Sequence, residues 1–488
     1  MRYTWKWEWT FVSSALFWFA IGGLAGLLLP LLRAFSADST LLRVYAGSVT
    51  THGVLMVFGG LFQLMVGLCL LHGRVMGGRI DEWSTRLPAL LWLSTNVGLA
   101  FMAVSVFGGF APSYVLVYPL PLVGADVALW PRWALLIALV GIALVLLAVL
   151  YLYPAAIARS LFGRLLPTRT QLRGLIPDPG SLGMSIYALV MPILGLPVFL
   201  FAAAVFLVAL GLLRPETIPI ATSARSFNVA FWLFAHNLME AMGIMTLGAI
   251  YAIVPRYTRS GQLYSPRAAV VAMILYTMAA IPAFGHHLYT WVTGNPEALQ
   301  NVSRSTSWAT GFIAATLTAF NVGLTVWRNG LRAHPAPLLI LGGLLLYLID
   351  GFVALELSTP AWNLRLHGTL YATAHTMTIL TAVLLVFLGV TYHYYPALRE
   401  YQLDLRLGYL HGGLSFVAAL AMFFSLLAGG VAGLPRRAYP WLPGENAFAV
   451  PLLLFGLLFA LAQGLFAWNL WRTERARATV LVPAPAAD

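Results

Sequence analysis

The chain has 488 residues, of which 60% are hydrophobic and only 9% charged. A soluble domain carries about 25% charged residues, so this chain lacks the polar surface that water requires, and the bilayer is its expected solvent. The formal net charge is +12, but the 28 basic residues (Lys6 is the single lysine) are scattered through short connections. That distribution argues against a nucleic-acid partner and for loop charges that orient a membrane protein.

Twelve apolar segments of roughly 20 to 30 residues are each long enough to cross a ~30 Å core. They are predicted at 9–33, 47–72, 88–110, 132–154, 182–212, 226–255, 267–292, 303–327, 335–358, 364–396, 407–430 and 446–471. The first is long enough to span and stay rather than be cleaved. The connections are short and rich in Pro, Gly and Arg, as turns are. The expected architecture is all-α: one polytopic transmembrane catalytic domain over 1–488. Even-numbered connections carry fourteen basic residues and the tails five, against nine in the odd ones. Both termini are therefore expected in the cytoplasm. Cys69 stands alone, which excludes a disulfide framework, a Cys-x-x-Cys metal motif and covalent haem attachment.

Five histidines fall at one depth of this bundle. His52 lies about five residues inside the expected outer end of the second segment, His236 about ten inside the sixth, His286 and His287 five or six inside the seventh, and His375 about eleven inside the tenth. At 1.5 Å per residue they lie within roughly 10 Å of one another in depth. His72, His393 and His411 sit at the opposite ends. Ionisable groups within the bilayer are costly and are functional candidates. For a single histidine, a hydrogen bond to a neighbouring helix is the simpler account. Five at one depth point to ligands for haem iron or a transition metal.

Spacing sharpens this. His236 and Glu240 are i and i+4, so they share one helix face and can bind one ion. A cation would resolve the cost of a carboxylate at that depth. On a helix, His286 and His287 diverge by about 100° and reach one metal lying between them. Three imidazoles and a carboxylate form a plausible non-haem iron site, with Glu240 as a structural acid the alternative. His375 and Met377, at i and i+2, point to opposite sides of their helix and can face two haems. Methionine sulfur is an accepted axial ligand, and ordinary core packing is the alternative for Met377.

In these residues the chain resembles the catalytic subunit of the haem–copper oxidase and nitric oxide reductase superfamily. The paired His286-His287, the eight-residue step from His367 to His375, and Gly433-Leu434-Pro435-Arg436-Arg437 carry the resemblance, which spans nearly the whole chain. It implies two haems, expected to be b-type. His52 would hold the low-spin haem, His375 the high-spin haem, and His236, His286 and His287 the second metal. Arg436 and Arg437 would bind haem propionates, and His367 would lie near the propionates or a divalent ion such as a structural calcium. Many oxidases have a tyrosine where this chain has Glu240, whereas nitric oxide reductases resemble it there. The expectation is therefore a respiratory nitric oxide reductase of denitrification, with non-haem iron bound by His236, Glu240, His286 and His287. The alternative is a terminal oxygen reductase with copper and a tyrosine supplied by another helix; Tyr289 is one candidate.

The chain departs from the pattern in having His-x-Met rather than His-x-His, with Met377 as the proposed second ligand to the low-spin haem. Ile244 replaces a second glutamate familiar in the reductases, and the Arg436-Arg437 run is more oxidase-like. Asp350 and Glu356 lie within the ninth segment. Asp350 resembles a helix-9 acid of one oxidase class, either a structural acid or one involved in proton delivery or ion binding. The remote alternative is a haem-free twelve-helix transporter, which predicts related halves. The resemblance also implies a bacterial or archaeal cytoplasmic membrane and an electron donor: a cytochrome c subunit, a copper domain or quinol.

Overall fold

The computed structural model describes residues 6–78, 82–111, 131–174, 178–214, 216, 224–288, 297–442 and 444–476. Tyr289 lies outside them. Among the described residues, twelve helices are long and apolar enough to cross a membrane: α1 Lys6–Phe35, α2 Ser39–Val75, α3 Thr85–Phe107, α4 Arg132–Phe162, α5 Pro179–Val208, α6 Val229–Tyr257, α7 Pro266–Leu288, α8 Gln300–Asn329, α9 Pro335–Leu357, α10 Leu370–Arg399, α11 Leu405–Val431 and α12 Glu445–Arg475. The protein is a multi-pass membrane protein, as its composition demands.

Neighbours in sequence pack as neighbours in space, and α12 closes back onto α1. The centre is occupied by α2, α6 and α10, whose apolar windows are 83%, 78% and 61% buried, against 17% for α1 and α12. A helix apolar all round finds partners on every side only inside a bundle. These three central helices carry His52, His236 with Glu240, and His375.

Several segments depart from the sequence reading in ways that move the site. The tenth helix was expected from 364 but starts at Leu370, where Thr369 caps it by accepting the amide of Tyr371. A separate short helix, Pro360–Leu366, precedes it. His367 therefore sits in the connecting turn rather than on the helix of His375. The seventh helix gives way at Ala283 to a tighter 3-10 turn over Phe284–Leu288, following Pro282. Carbonyls released by the change are bonded from outside: Ser303 donates to that of Ala283, Asn363 to that of His286 and Gln300 to that of Leu288. The second helix runs on beyond its expected end and widens into a π-helical stretch, Leu55–Phe62, just after His52. The fifth breaks at Gly195, ahead of Pro197.

The pairing of α9 with α10 rests on two close approaches. A Cβ on Gly343 would stand 2.6 Å from the Ala382 carbonyl oxygen, and one on Gly389 would stand 2.7 Å from that of Ala336. Only glycine permits this. Small residues are how helices reach backbone contact in a membrane, where lipid competes with every apolar side chain.

Candidate metal and haem centre

His236, on central α6, faces the 3-10 turn that ends α7. Ligand nitrogens of His236, His286 and His287 all lie within 4.8 Å of one another. The ring centroid of His236 is 5.0 Å from that of His286 and 5.4 Å from that of His287. The adjacent pair, expected to diverge as on an α-helix, instead lies with centroids 4.1 Å apart on the tighter turn. Trp232, one turn before His236, stacks flat on His287 at 3.6 Å and fixes its plane. The Nδ1 atoms of His236 and His287 are buried with no hydrogen-bond partner. A buried polar atom left without a partner is costly, and a transition metal on neutral imidazoles would remove that cost. The donor set fits such an ion. Among the described residues it is the only group of three or more His, Cys, Asp or Glu side chains suited to a cation.

Glu240 shares the face of His236, as the i, i+4 spacing requires, but its Oε1 stands 3.6 Å from His236 Nε2. The other carboxylate oxygen, Oε2, accepts the hydroxyl of Tyr276 from α7. Tyr276 is in turn hydrogen-bonded to the hydroxyl of Tyr347 from α9. The two phenols occupy a notch in α6: a Cβ on Gly243 would lie 2.3 Å from the Tyr276 hydroxyl and 2.6 Å from that of Tyr347. Sequence reasoning missed both tyrosines. Tyr347 and Asp350, at i and i+3, do share a face of α9. Tyr276 has no local signal.

The two histidines expected to face haems share one mode of support. His52 donates Nδ1–H to the Gly22 carbonyl of α1 at 2.9 Å, and His375 donates Nδ1–H to Asp350 Oδ2 of α9 at 2.9 Å. Tethering Nδ1 fixes the tautomer and leaves the Nε2 lone pair for a metal, the usual arrangement of a metal-binding imidazole. These residues therefore fit haem iron. Met377 is half-buried on α10, and its carbonyl accepts the Thr381 hydroxyl at 2.7 Å. No observed contact joins its sulfur to His52.

The Arg436-Arg437 turn is clamped to the start of α10. Leu370 N–H donates to the Leu434 carbonyl at 2.9 Å and Arg436 N–H to that of Gly368 at 3.1 Å. Arg437 takes φ +61, a left-handed conformation costly for a side-chain-bearing residue. His367 lies in the same corner, its ring 5.2 Å from that of His287. Burial, and then the neighbouring Arg436 charge, hold His367 well below the usual histidine range. Glu356 accepts the Tyr371 hydroxyl, and Ile244 is core.

Comparison with known proteins agrees with this geometry. The family model "Cytochrome C and Quinol oxidase polypeptide I" matches residues 7–473. Cytochrome c oxidase subunit 1 of Thermostichus vulcanus is 23% identical over 94% of this chain and 82% of its own length. That of Synechocystis is 23% identical over 87% of this chain and 75% of its own. Among solved structures, a haem–copper terminal oxidase dimer studied by cryo-electron microscopy superposes with a TM-score of 0.75 at 20% identity, covering 98% of this chain and 85% of that one. That last likeness speaks to the fold. All three are described as oxidases, and none as a nitric oxide reductase.

Proposed function

Because the chain belongs to the cytochrome c and quinol oxidase polypeptide I family, we propose that it is the catalytic subunit of a terminal oxygen reductase, passing four electrons and four protons to dioxygen to form two waters. This reverses the preference drawn from Glu240 alone. The carrying observation is the Tyr276 hydroxyl on Glu240 beside the three histidines. It supplies, from α7, the phenol that the usual α6 position lacks.

Two haems and a copper ion, when bound, would supply the redox chemistry and the site for the gas. His375 would hold the high-spin haem, and His52 together with Met377 the low-spin haem. His236, His286 and His287 would hold the copper, while Arg436, Arg437 and His367 would meet the propionates, as guanidinium suits carboxylate. Tyr276 would be the local source of one electron and one proton, a proton that its hydroxyl shares with Glu240 Oε2 until it is given up. Electrons would arrive from a cytochrome c, a copper domain or a quinol.

A second reading, reduction of two NO to N2O and water, is favoured by one observation: Glu240 stands 3.6 Å from His236 Nε2, within a small movement of joining the metal. It requires iron rather than copper there. Metal analysis of the purified protein, with O2 and NO consumption measured side by side, tests both. Copper, two haems and faster O2 consumption support the proposal. A third iron and NO turnover without O2 turnover overturn it in favour of the second reading.

A further inference from the structure

The helix pair α9–α10 is an antiparallel ladder with rungs seven residues apart on both helices: Ala336 against Gly389, Gly343 against Ala382, and Asp350 against His375. Seven residues return a side chain to nearly the same face. The two glycine rungs therefore hold backbone against backbone and set the register, and the third rung inherits it. Asp350 arrives opposite His375 because the α9 face is locked two turns earlier.

The third rung is unlike the others. Asp350 is 1% exposed. Its Oδ2 accepts from His375 Nδ1, and its Oδ1 has no hydrogen-bond partner. A buried carboxylate with a single imidazole as its support is costly unless positive charge lies close by. A metal ion on the far nitrogen of the same ring would provide that charge.

We infer that Asp350 is the positioning residue of the His375 imidazole. It fixes the ring plane, holds the proton on Nδ1, and makes Nε2 a stronger electron donor to iron than an imidazole bonded to a neutral carbonyl. This rests on the reading of His375 as a haem ligand. His52, bonded to the Gly22 carbonyl, is the internal contrast: the same ring tethered through the same atom, but to a neutral acceptor. The two haem sites would thus be set apart electronically by what stands behind each histidine. Carboxylate support stabilises the more positive iron and lowers its reduction potential, a recognised outer-shell effect. The role differs from the proton delivery or ion binding weighed from sequence alone.

The test is resonance Raman spectroscopy of the reduced full-length protein, with a redox titration of the high-spin haem. Asp350→Asn keeps the shape and removes the charge. It is expected to retain haem, shift the iron–imidazole band to lower frequency and raise the midpoint potential. An unchanged band and potential overturn the inference. The wild-type band is a second measurement that needs no variant. A carboxylate-bonded imidazole places it above the carbonyl-bonded position, and a band at the carbonyl-bonded position overturns the inference. His375→Ala separates this from failure of the haem reading. If the band survives there, His375 is not the ligand and both statements fall. If it vanishes while Asp350→Asn leaves the band unmoved, the inference falls alone.

Discussion

Histidines are buried at both ends of this bundle, yet their ring nitrogens are used differently. Towards the end where α1 begins and α12 stops, His72 shares a hydrogen bond with the Tyr394 hydroxyl at 2.7 Å, His393 with that of Tyr257 at 3.0 Å, and His411 with that of Tyr392 at 3.2 Å. At the opposite end, His236 and His287 have an Nδ1 with no partner, and His52 and His375 are tethered through Nδ1 to a carbonyl or a carboxylate. Burial alone is not the distinction: His236 and His393 are both 8% exposed, while His52, His287 and His375 are half-buried. What separates them is the partner of Nδ1. At one end it is a phenol hydroxyl; at the other it is a carbonyl, a carboxylate or nothing, and these are the rings proposed above as metal ligands.

The largest expected effect strikes the site end. His286→Ala or His287→Ala should reduce gas turnover by more than the roughly 10- to 100-fold carried even by outer-shell partners of a metal. Metal analysis should show loss of the non-haem ion with the haem spectrum retained. Wild-type metal content in either variant would break the contrast. Next comes Tyr276→Phe, which removes the hydroxyl from Glu240. A drop of roughly 100-fold in O2 turnover is expected, the scale of a lost proton donor. Undiminished O2 turnover would remove the observation on which the oxygen reductase proposal stands.

Effects at the other end should be structural. Tyr394→Phe takes the hydroxyl from His72 and should cost about 1 kcal/mol of stability, seen as a lower unfolding temperature in detergent with turnover intact. A turnover defect there would blur the two groups. The smallest effect is a dependence on acidity. Asp178 accepts from His72 Nε2 at 3.2 Å and from the Ser181 hydroxyl. Burial alone would raise its carboxyl, but the hydrogen bonds from His72 and Ser181 outweigh it and bring it from 3.8 to about 2. A depressed carboxyl contributes stability that is fully present above its unfolded value and is lost as pH falls through its folded one. The gap in unfolding temperature between wild type and Asp178→Asn should therefore be constant above about pH 4 and close between 3.8 and about 2. A gap that persists below 2 would show that the charge on Asp178 is irrelevant.

The twelve helices and the His236-Glu240 face were legible in the sequence because both depend on short-range periodicity: segment length, and an i, i+4 step. Depth placed His286 and His287 level with His236, since a membrane helix converts residue number into height, but singling these three out from His52 and His375 took the adjacency of the pair and the resemblance. What depends on rotation about the helix axis or on a break in the helix was not. The 3-10 turn at Phe284–Leu288 changes how the adjacent pair points, and its stabilising donors, Ser303, Asn363 and Gln300, come from elsewhere in the chain. His367 was placed on the tenth helix because the apolar run begins before Leu370, whereas Thr369 caps the helix after it. Tyr276 and Tyr347 reach Glu240 from two other helices, a meeting that no single-helix pattern encodes.

The notch at Gly243 makes one position of α6 answerable for a contact that two other helices supply. The Tyr276 and Tyr347 hydroxyls stand where the first carbon of a side chain would be, so a methyl group there would have to push them aside, and with them the hydroxyl that rests on Glu240. The smallest residue of the helix thus decides how near two of the largest can come.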